Sequence, residues 1–153
     1  MLILFVDQLS KNIAIHILRG QPMASYLGDI FRLEYSENAG AFLSLGAQLS
    51  ESTRFWILNV GVSGALIACL VFLLCAKDMS RFELTAFSLM FSGGLGNLLD
   101  RIFRDNGRVV DFMNMGIGNL RTGIFNVADM AIMAGILLFL LSQAKRDRLK
   151  STE

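Results

Sequence analysis

Asp129 and Asp111 stand among neighbours that do not suit a carboxylate. Asp129 follows Phe125-Asn126-Val127-Ala128 near the start of a long apolar stretch, three positions after Asn126. That spacing projects both side chains from one face of a helix. Asp111 lies between Val109-Val110 and Phe112-Met113, an apolar pocket in an otherwise polar segment. Ionisable groups at membrane depth are costly and are functional by default. Desolvation raises a carboxylate pKa, and a second carboxylate nearby raises one of the two further. Two aspartates sharing a proton give a peptidase its base and its acid: one takes a proton from water, the other polarises the scissile carbonyl. Each acid also has a plainer account, Asp129 as an arginine-paired packing residue and Asp111 as a solvated loop residue.

A third constellation is Gly93-Gly94-Leu95-Gly96-Asn97-Leu98-Leu99-Asp100-Arg101, in which Gly93, Asn97 and Arg101 fall on one helical stripe. Glycine lets backbones approach closely in lipid, and Asn97 can hydrogen-bond across such a contact. Arg101 can reach carboxylates or loop carbonyls from the helix end. The plainer account is a glycine packing face closed by an Asp100–Arg101 pair. Asp7 and Lys11 stand at i and i+4 in the order that favours a salt bridge, and read as structural. Asn59 and Ser63 share that spacing and are expected to make helix contacts. Cys69 and Cys75 do not share a face and His16 stands alone, so neither a redox pair nor a metal site is expected. Other hydrolase chemistries fail on residue supply. There is no H-E-x-x-H, Gly61-Val62-Ser63-Gly64-Ala65 is not G-x-S-x-G, and adjacent Ser10 and Lys11 point apart.

The elements that position these residues must belong to a membrane fold. Hydrophobic residues make up 54% of the 153-residue chain and charged residues 18%, where soluble domains carry about 25% charged. With 14 basic and 13 acidic side chains and a net charge of +1, there is no electrostatic footprint for nucleic acid. A span needs about 20 mostly apolar residues. Residues 55–76, 82–101 and 124–144 meet or approach that, and 1–18 reads as a short first helix interrupted by Asp7, Lys11 and His16. Residues 19–54 and 102–123 are the extramembrane segments. Phe31, Leu33 and Tyr35 alternate with Arg32, Glu34 and Ser36 as in a strand, Asn38-Ala39-Gly40 breaks the run, and Ser50 or Ser52 can cap the second span. Lys77, Arg81 and the Lys145, Arg146, Arg148, Lys150 cluster lean those ends and both termini toward the cytoplasm.

Five segments in order resemble the motifs of bacterial lipoprotein signal peptidase (signal peptidase II). They are Asp7-Gln8-Leu9-Ser10-Lys11, Asn38-Ala39-Gly40-Ala41-Phe42, the Gly93–Arg101 run, Val109-Val110-Asp111-Phe112 and Phe125-Asn126-Val127-Ala128-Asp129. The resemblance implies an all-α integral membrane protein over a single domain, 1–153. It would be a four-helix bundle with a small extracytoplasmic β-element, set in the bacterial inner membrane with its site facing outward. It implies an aspartic endopeptidase that cleaves diacylglyceryl-modified prolipoproteins just before the lipidated cysteine. Asp111 and Asp129 would be catalytic. Asn38, Asn97, Arg101 and Asn126 would line the site, and Asp7, Lys11, Asp100, Gly40, Gly94 and Gly96 would be structural. No metal or organic cofactor is implied, membrane lipid and globomycin-type inhibitors are expected ligands, and a monomer is expected. Two departures stand out. Only six residues precede Asp7, which implies a late start or an abbreviated first helix, and the second motif is one residue short, which alters the outer β-element around Phe42. The competing expectations are a proton-coupled carrier working through Asp129 and a GxGD-type intramembrane protease. The second has Asn97 where its aspartate belongs.

Overall fold

Four long helices and a four-stranded antiparallel sheet make up the described chain, residues 2–104 and 106–150 of the computed structural model. Met1, the first residue of the expected first span, and the side chain of Lys150 lie outside what is described. Helix α1 covers Leu2–Leu18. Helix α2, Glu51–Cys75, is started by Ser50, whose Oγ accepts from the Thr53 N–H at 3.2 Å. It widens into π-helical turns over Phe55–Gly61. Helix α3, Arg81–Phe103, opens on a reciprocal cap between Ser80 and Glu83. Helix α4 covers Val127–Lys150.

Helices α2 and α4 are long and apolar enough to cross a membrane. Both leave large apolar side chains outward, among them Ile67 and Leu141, as expected where lipid replaces water. The stretch expected to form the third span is helical, as α3, with Arg81, Glu83, Asp100 and Arg101 making its ends polar. Between α3 and α4 the backbones meet at small residues. A Cβ on Gly93 would collide with the Ala128 carbonyl, and one on Gly135 would lie 2.6 Å from the Ala86 carbonyl oxygen. The glycine face is therefore a helix–helix contact.

The small β-element expected beside the helices is a four-stranded sheet, more than the all-α class allows. Strands β1 (Ala24–Tyr26), β2 (Phe31–Asn38), β3 (Val109–Ile117) and β4 (Leu120–Arg121) pair in the order β1-β2-β3-β4. Strand β3 lies where a polar loop was expected. Its residues Val109, Val110, Asp111 and Phe112 are all buried, which is why that run does not alternate. On β2 the expected alternation fails for another reason. Leu33 faces Met113 and Ser36 faces Asp111, so Glu34 and Tyr35 together oppose Phe112 in a bulge. The bulge sets Ser36 and Asn38 on the face that carries Asp111.

Candidate active site

Helix α4 begins with a reciprocal cap. Asn126 Oδ1 accepts the Asp129 N–H at 2.9 Å, and Asp129 Oδ2 accepts the Asn126 N–H at 3.2 Å. Asp129 thus sits in the first turn, where the aligned peptide dipoles favour negative charge. The Asn126 amide turns the other way, its Nδ2 donating to Asp111 Oδ1 at 2.6 Å and to Asn97 Oδ1 at 3.1 Å. One residue therefore bridges the two acids. Each remaining carboxylate oxygen also accepts one amide. Asn38 Nδ2 reaches Asp111 Oδ2 across the β2–β3 pair at 2.9 Å, and Asn97 Nδ2 reaches Asp129 Oδ1 at 2.9 Å. Asp111 is 2% exposed and Asp129 6%. Burial first, and then the charge of Asp129, push Asp111 up to about 7, against the pull of the Asn38 and Asn126 amides.

A layer beneath is fully charged. Lys11 Nζ lies 2.8 Å from Asp7 Oδ2, 3.1 Å from Asp100 Oδ2 and 2.9 Å from Asn97 Oδ1. Asp7 Oδ1 accepts the Ala128 N–H at 2.8 Å, so this cluster joins α1 and α3 to the first turn of α4. Gly96 makes room for it, since a Cβ there would stand 2.6 Å from Asp7 Oδ2. The neighbouring Gly94 faces Leu66 of α2.

The structure corrects four sequence readings. Asp100 does not pair with Arg101. It pairs with Lys11 and with Arg104, at 3.0 Å, and it accepts the Val110 N–H at 3.2 Å. Arg101 instead donates to the Gly40 carbonyl at 2.8 Å and the Asn97 carbonyl at 3.3 Å, which holds the Asn38-Ala39-Gly40 turn against α3. Asn59 makes no helix contact through its side-chain oxygen, which is shielded and without a partner among the described residues. Asp111 is no solvated loop residue, and Asp129 accepts from amides rather than from an arginine. Three residues went unread in the sequence. Gln8 donates to the Gly96 carbonyl at 3.0 Å and to Asp100 at 3.2 Å, Arg104 completes the Asp100 pair, and Asn114 donates to the Thr122 carbonyl at 2.6 Å. Two signals were available: the position of Gln8 between Asp7 and the Lys11 turn, and the i, i+4 spacing of Asp100 and Arg104 at the end of α3. Asn114 gave none, because its partner lies beyond its own strand. A small apolar cavity of about 220 Å³ adjoins Asp129, lined by Phe42, Phe125, Met130 and Met133.

A buried polar site closed by a small sheet at the end of apolar helices defines a helical membrane protein, and the solved structures it matches are membrane enzymes. Two bacterial membrane enzyme structures determined by the in meso method superimpose on it. One, at 1.9 Å resolution, gives a TM-score of 0.76 and 26% identity over 93% of this chain and 87% of that one. The other, at 2.3 Å, gives 0.74 and 28% over 94% and 84%. The chain belongs to the signal peptidase (SPase) II family, whose model matches residues 1–145. It is 35% identical over 147 residues to the lipoprotein signal peptidase of Borrelia hermsii, covering 92% of this chain and 84% of that protein. It is 34% identical over 148 residues to the lipoprotein signal peptidase of Chlorobium phaeobacteroides, with the same coverage. That membership does not favour a proton-coupled carrier or a GxGD-type protease.

Proposed function

We propose that this protein is an aspartic endopeptidase of the inner membrane that removes signal peptides from diacylglyceryl-modified prolipoproteins just before the lipidated cysteine. Family membership supports the peptidase and its lipoprotein substrate. The observation that carries the aspartic chemistry is the double bridge from Asn126, through Nδ2 to Asp111 and through its backbone N–H to Asp129. It ties two carboxylates to a single rigid helix start.

The chemistry follows from the surroundings. Asp111, raised to about 7, keeps the proton, and Asp129 keeps the negative charge at the helix N-terminus. Asp129 takes a proton from a water while that water's oxygen attacks the scissile carbonyl carbon. Asp111 donates its proton in a hydrogen bond to the carbonyl oxygen, where negative charge develops. As the tetrahedral intermediate collapses, the C–N bond breaks and the proton on Asp129 goes to the leaving amine. Asn38, Asn97 and Asn126 hold the four carboxylate oxygens in place, and Arg101 holds the turn that carries Asn38. The cavity beside Asp129 takes an apolar side chain of the substrate. Four spans, both termini in the cytoplasm, a monomer, and inhibition by globomycin-type peptides complete the reading.

The test is incubation of purified protein with a lipidated prolipoprotein, reading the mobility shift on cleavage. Asp111→Asn and Asp129→Asn each lose the shift and stay folded. Near wild-type processing by either variant removes the dyad. A substrate without the diacylglyceryl group stays uncut, and its efficient cleavage removes the lipoprotein specificity.

A further inference from the structure

A groove bordered by Arg101 runs between α2 and the end of α3. Its polar end is a chamber of about 510 Å³ bordered by Arg54, Arg101 and Arg108. Phe55, Asn59, Arg101 and Gly107 also border the adjoining trough of about 830 Å³, which continues along α2 past Val60 to Ile67. The trough therefore changes from cationic to apolar along its length. From Phe55 to Ile67 it runs about 18 Å at the helical rise, close to the depth of one leaflet, about 15 Å.

Counting the described residues alone, the polar end holds more positive charge than its neighbours neutralise. Among the described residues, Arg54 contacts only the Ala47 and Leu49 carbonyls, at 2.8 and 2.9 Å. Arg101 spends its two terminal nitrogens on carbonyls, and its Nε is shielded and unpartnered. Beside it the Asn59 side-chain oxygen is likewise unpartnered, so that amide is free to turn its NH₂ toward a ligand. The acids at hand are Glu51 on the rim, Glu37, which stands 3.9 Å from Arg108, and Asp100, which is taken up by Lys11 and Arg104. Buried donors without acceptors are costly, and arginine forks match phosphate oxygens.

We propose that this groove holds an anionic phospholipid, with an acyl chain along α2 and its phosphate between Arg54 and Arg108, beside the Arg101 guanidinium whose Nε has no partner among the described residues. An uncharged diacylglyceryl group would leave those donors unmet. The phosphate also braces Arg101, whose other nitrogens hold Gly40 and so the turn that keeps Asn38 on Asp111. Lipid retention does not depend on proteolysis, so the assignment stands or falls apart from the peptidase reading.

The experiment uses full-length protein in neutral detergent, exchanged with vesicles of phosphatidylcholine alone or mixed with phosphatidylglycerol, and retained lipid is read by native mass spectrometry. Phosphatidylglycerol is retained in at least about tenfold preference. Arg108→Gln and Asn59→Leu each cut that preference several-fold at unchanged melting temperature, and Ile67→Trp, which fills the trough, cuts retention of the chain. Equal retention of the two lipids overturns the proposal, as does unaltered preference in all three variants. Full displacement by millimolar inorganic phosphate assigns the site to a free anion and overturns the lipid.

Discussion

Four aspartates are buried within two layers of one another, and they differ in what they share. Asp7 and Asp100 share an ammonium, Lys11, at 2.8 and 3.1 Å. Asp111 and Asp129 share only an amide, Asn126. In the first layer opposite charges meet and every Lys11 proton has an acceptor, Asn97 Oδ1 being the third. In the second, two like-charged groups sit in the same low-dielectric space with only N–H dipoles in contact and the Lys11 charge at a distance, so burial first and the Asp129 charge second raise Asp111 to about 7. Both layers are buried, and what separates them is the cation in contact with one pair and not with the other. Asn97 couples the layers. Lys11 can only donate, so it holds Asn97 Oδ1 toward itself and leaves the Asn97 NH₂ for Asp129.

The largest expected effect breaks the upper pair. Asp111→Asn or Asp129→Asn preserves shape and removes the proton traffic, for a loss of at least about 100-fold in cleavage rate with little change in unfolding temperature. Next is the lower layer. Lys11→Met leaves Asp7 buried without a cation and Asp100 with Arg104 alone, and is expected to cost about 3–5 kcal/mol of stability, read by thermal unfolding in detergent, while adding Asp7→Asn to it recovers much of the loss. A Lys11→Met protein that unfolds normally would erase the distinction between the layers.

How far the sequence carried this arrangement depended on the range of the contacts. The i, i+4 ion pair of Asp7 and Lys11 and the i, i+3 cap of Asn126 and Asp129 are local, and spacing alone revealed that each pair shares a face. The motif order named Asn38, Asn97 and Asn126 as lining residues, and all three donate to the acids. What spacing could not reveal was β3. Its buried run reads like a loop interrupted by apolar residues until β2 lies on one side and α1 packs near it. The Asp100–Arg101 pairing failed for a related reason. Adjacent charges look like partners on paper, but successive helix residues point about 100° apart, so Asp100 turned to Lys11 and Arg101 to Gly40. The polar C-terminal end of α3 belongs to these two layers, through Asn97 and Asp100.

A smaller perturbation separates the layers by geometry. Gly96→Ala drives a methyl to within 2.6 Å of Asp7 Oδ2 and 3.4 Å of the Ala128 Cβ, both held in place, at about 1–3 kcal/mol. Gly94→Ala meets only the end of the flexible Leu66 side chain, 2.9 Å away. There the gain in helix propensity, up to about 1 kcal/mol, offsets the contact. Comparing the two melting temperatures checks that the tightness lies on the faces of α3 turned to the charged layer and to α4, where Gly93 also meets the Ala128 carbonyl, and not on the face turned to α2.

The finest test titrates the upper pair. Asp111 rises from 3.8 to about 7 on folding, so between about pH 4 and 7 the folded protein holds a proton that the unfolded chain has lost. Stability attributable to this group therefore falls as pH rises through that window, by at most about 1.4 kcal/mol per unit, and levels off above it. Cleavage, by contrast, holds level through that window and falls only above about pH 7, about tenfold per unit, as Asp111 loses the proton it donates to the carbonyl oxygen. Asp111→Asn is expected to flatten the stability profile. Asp129→Asn removes the neighbouring charge but leaves the burial that is the larger cause, so it flattens the profile only in part. Equal slopes in wild type and Asp111→Asn would place the titrating proton elsewhere, and a full flattening in Asp129→Asn would make charge, rather than burial, the dominant cause at Asp111.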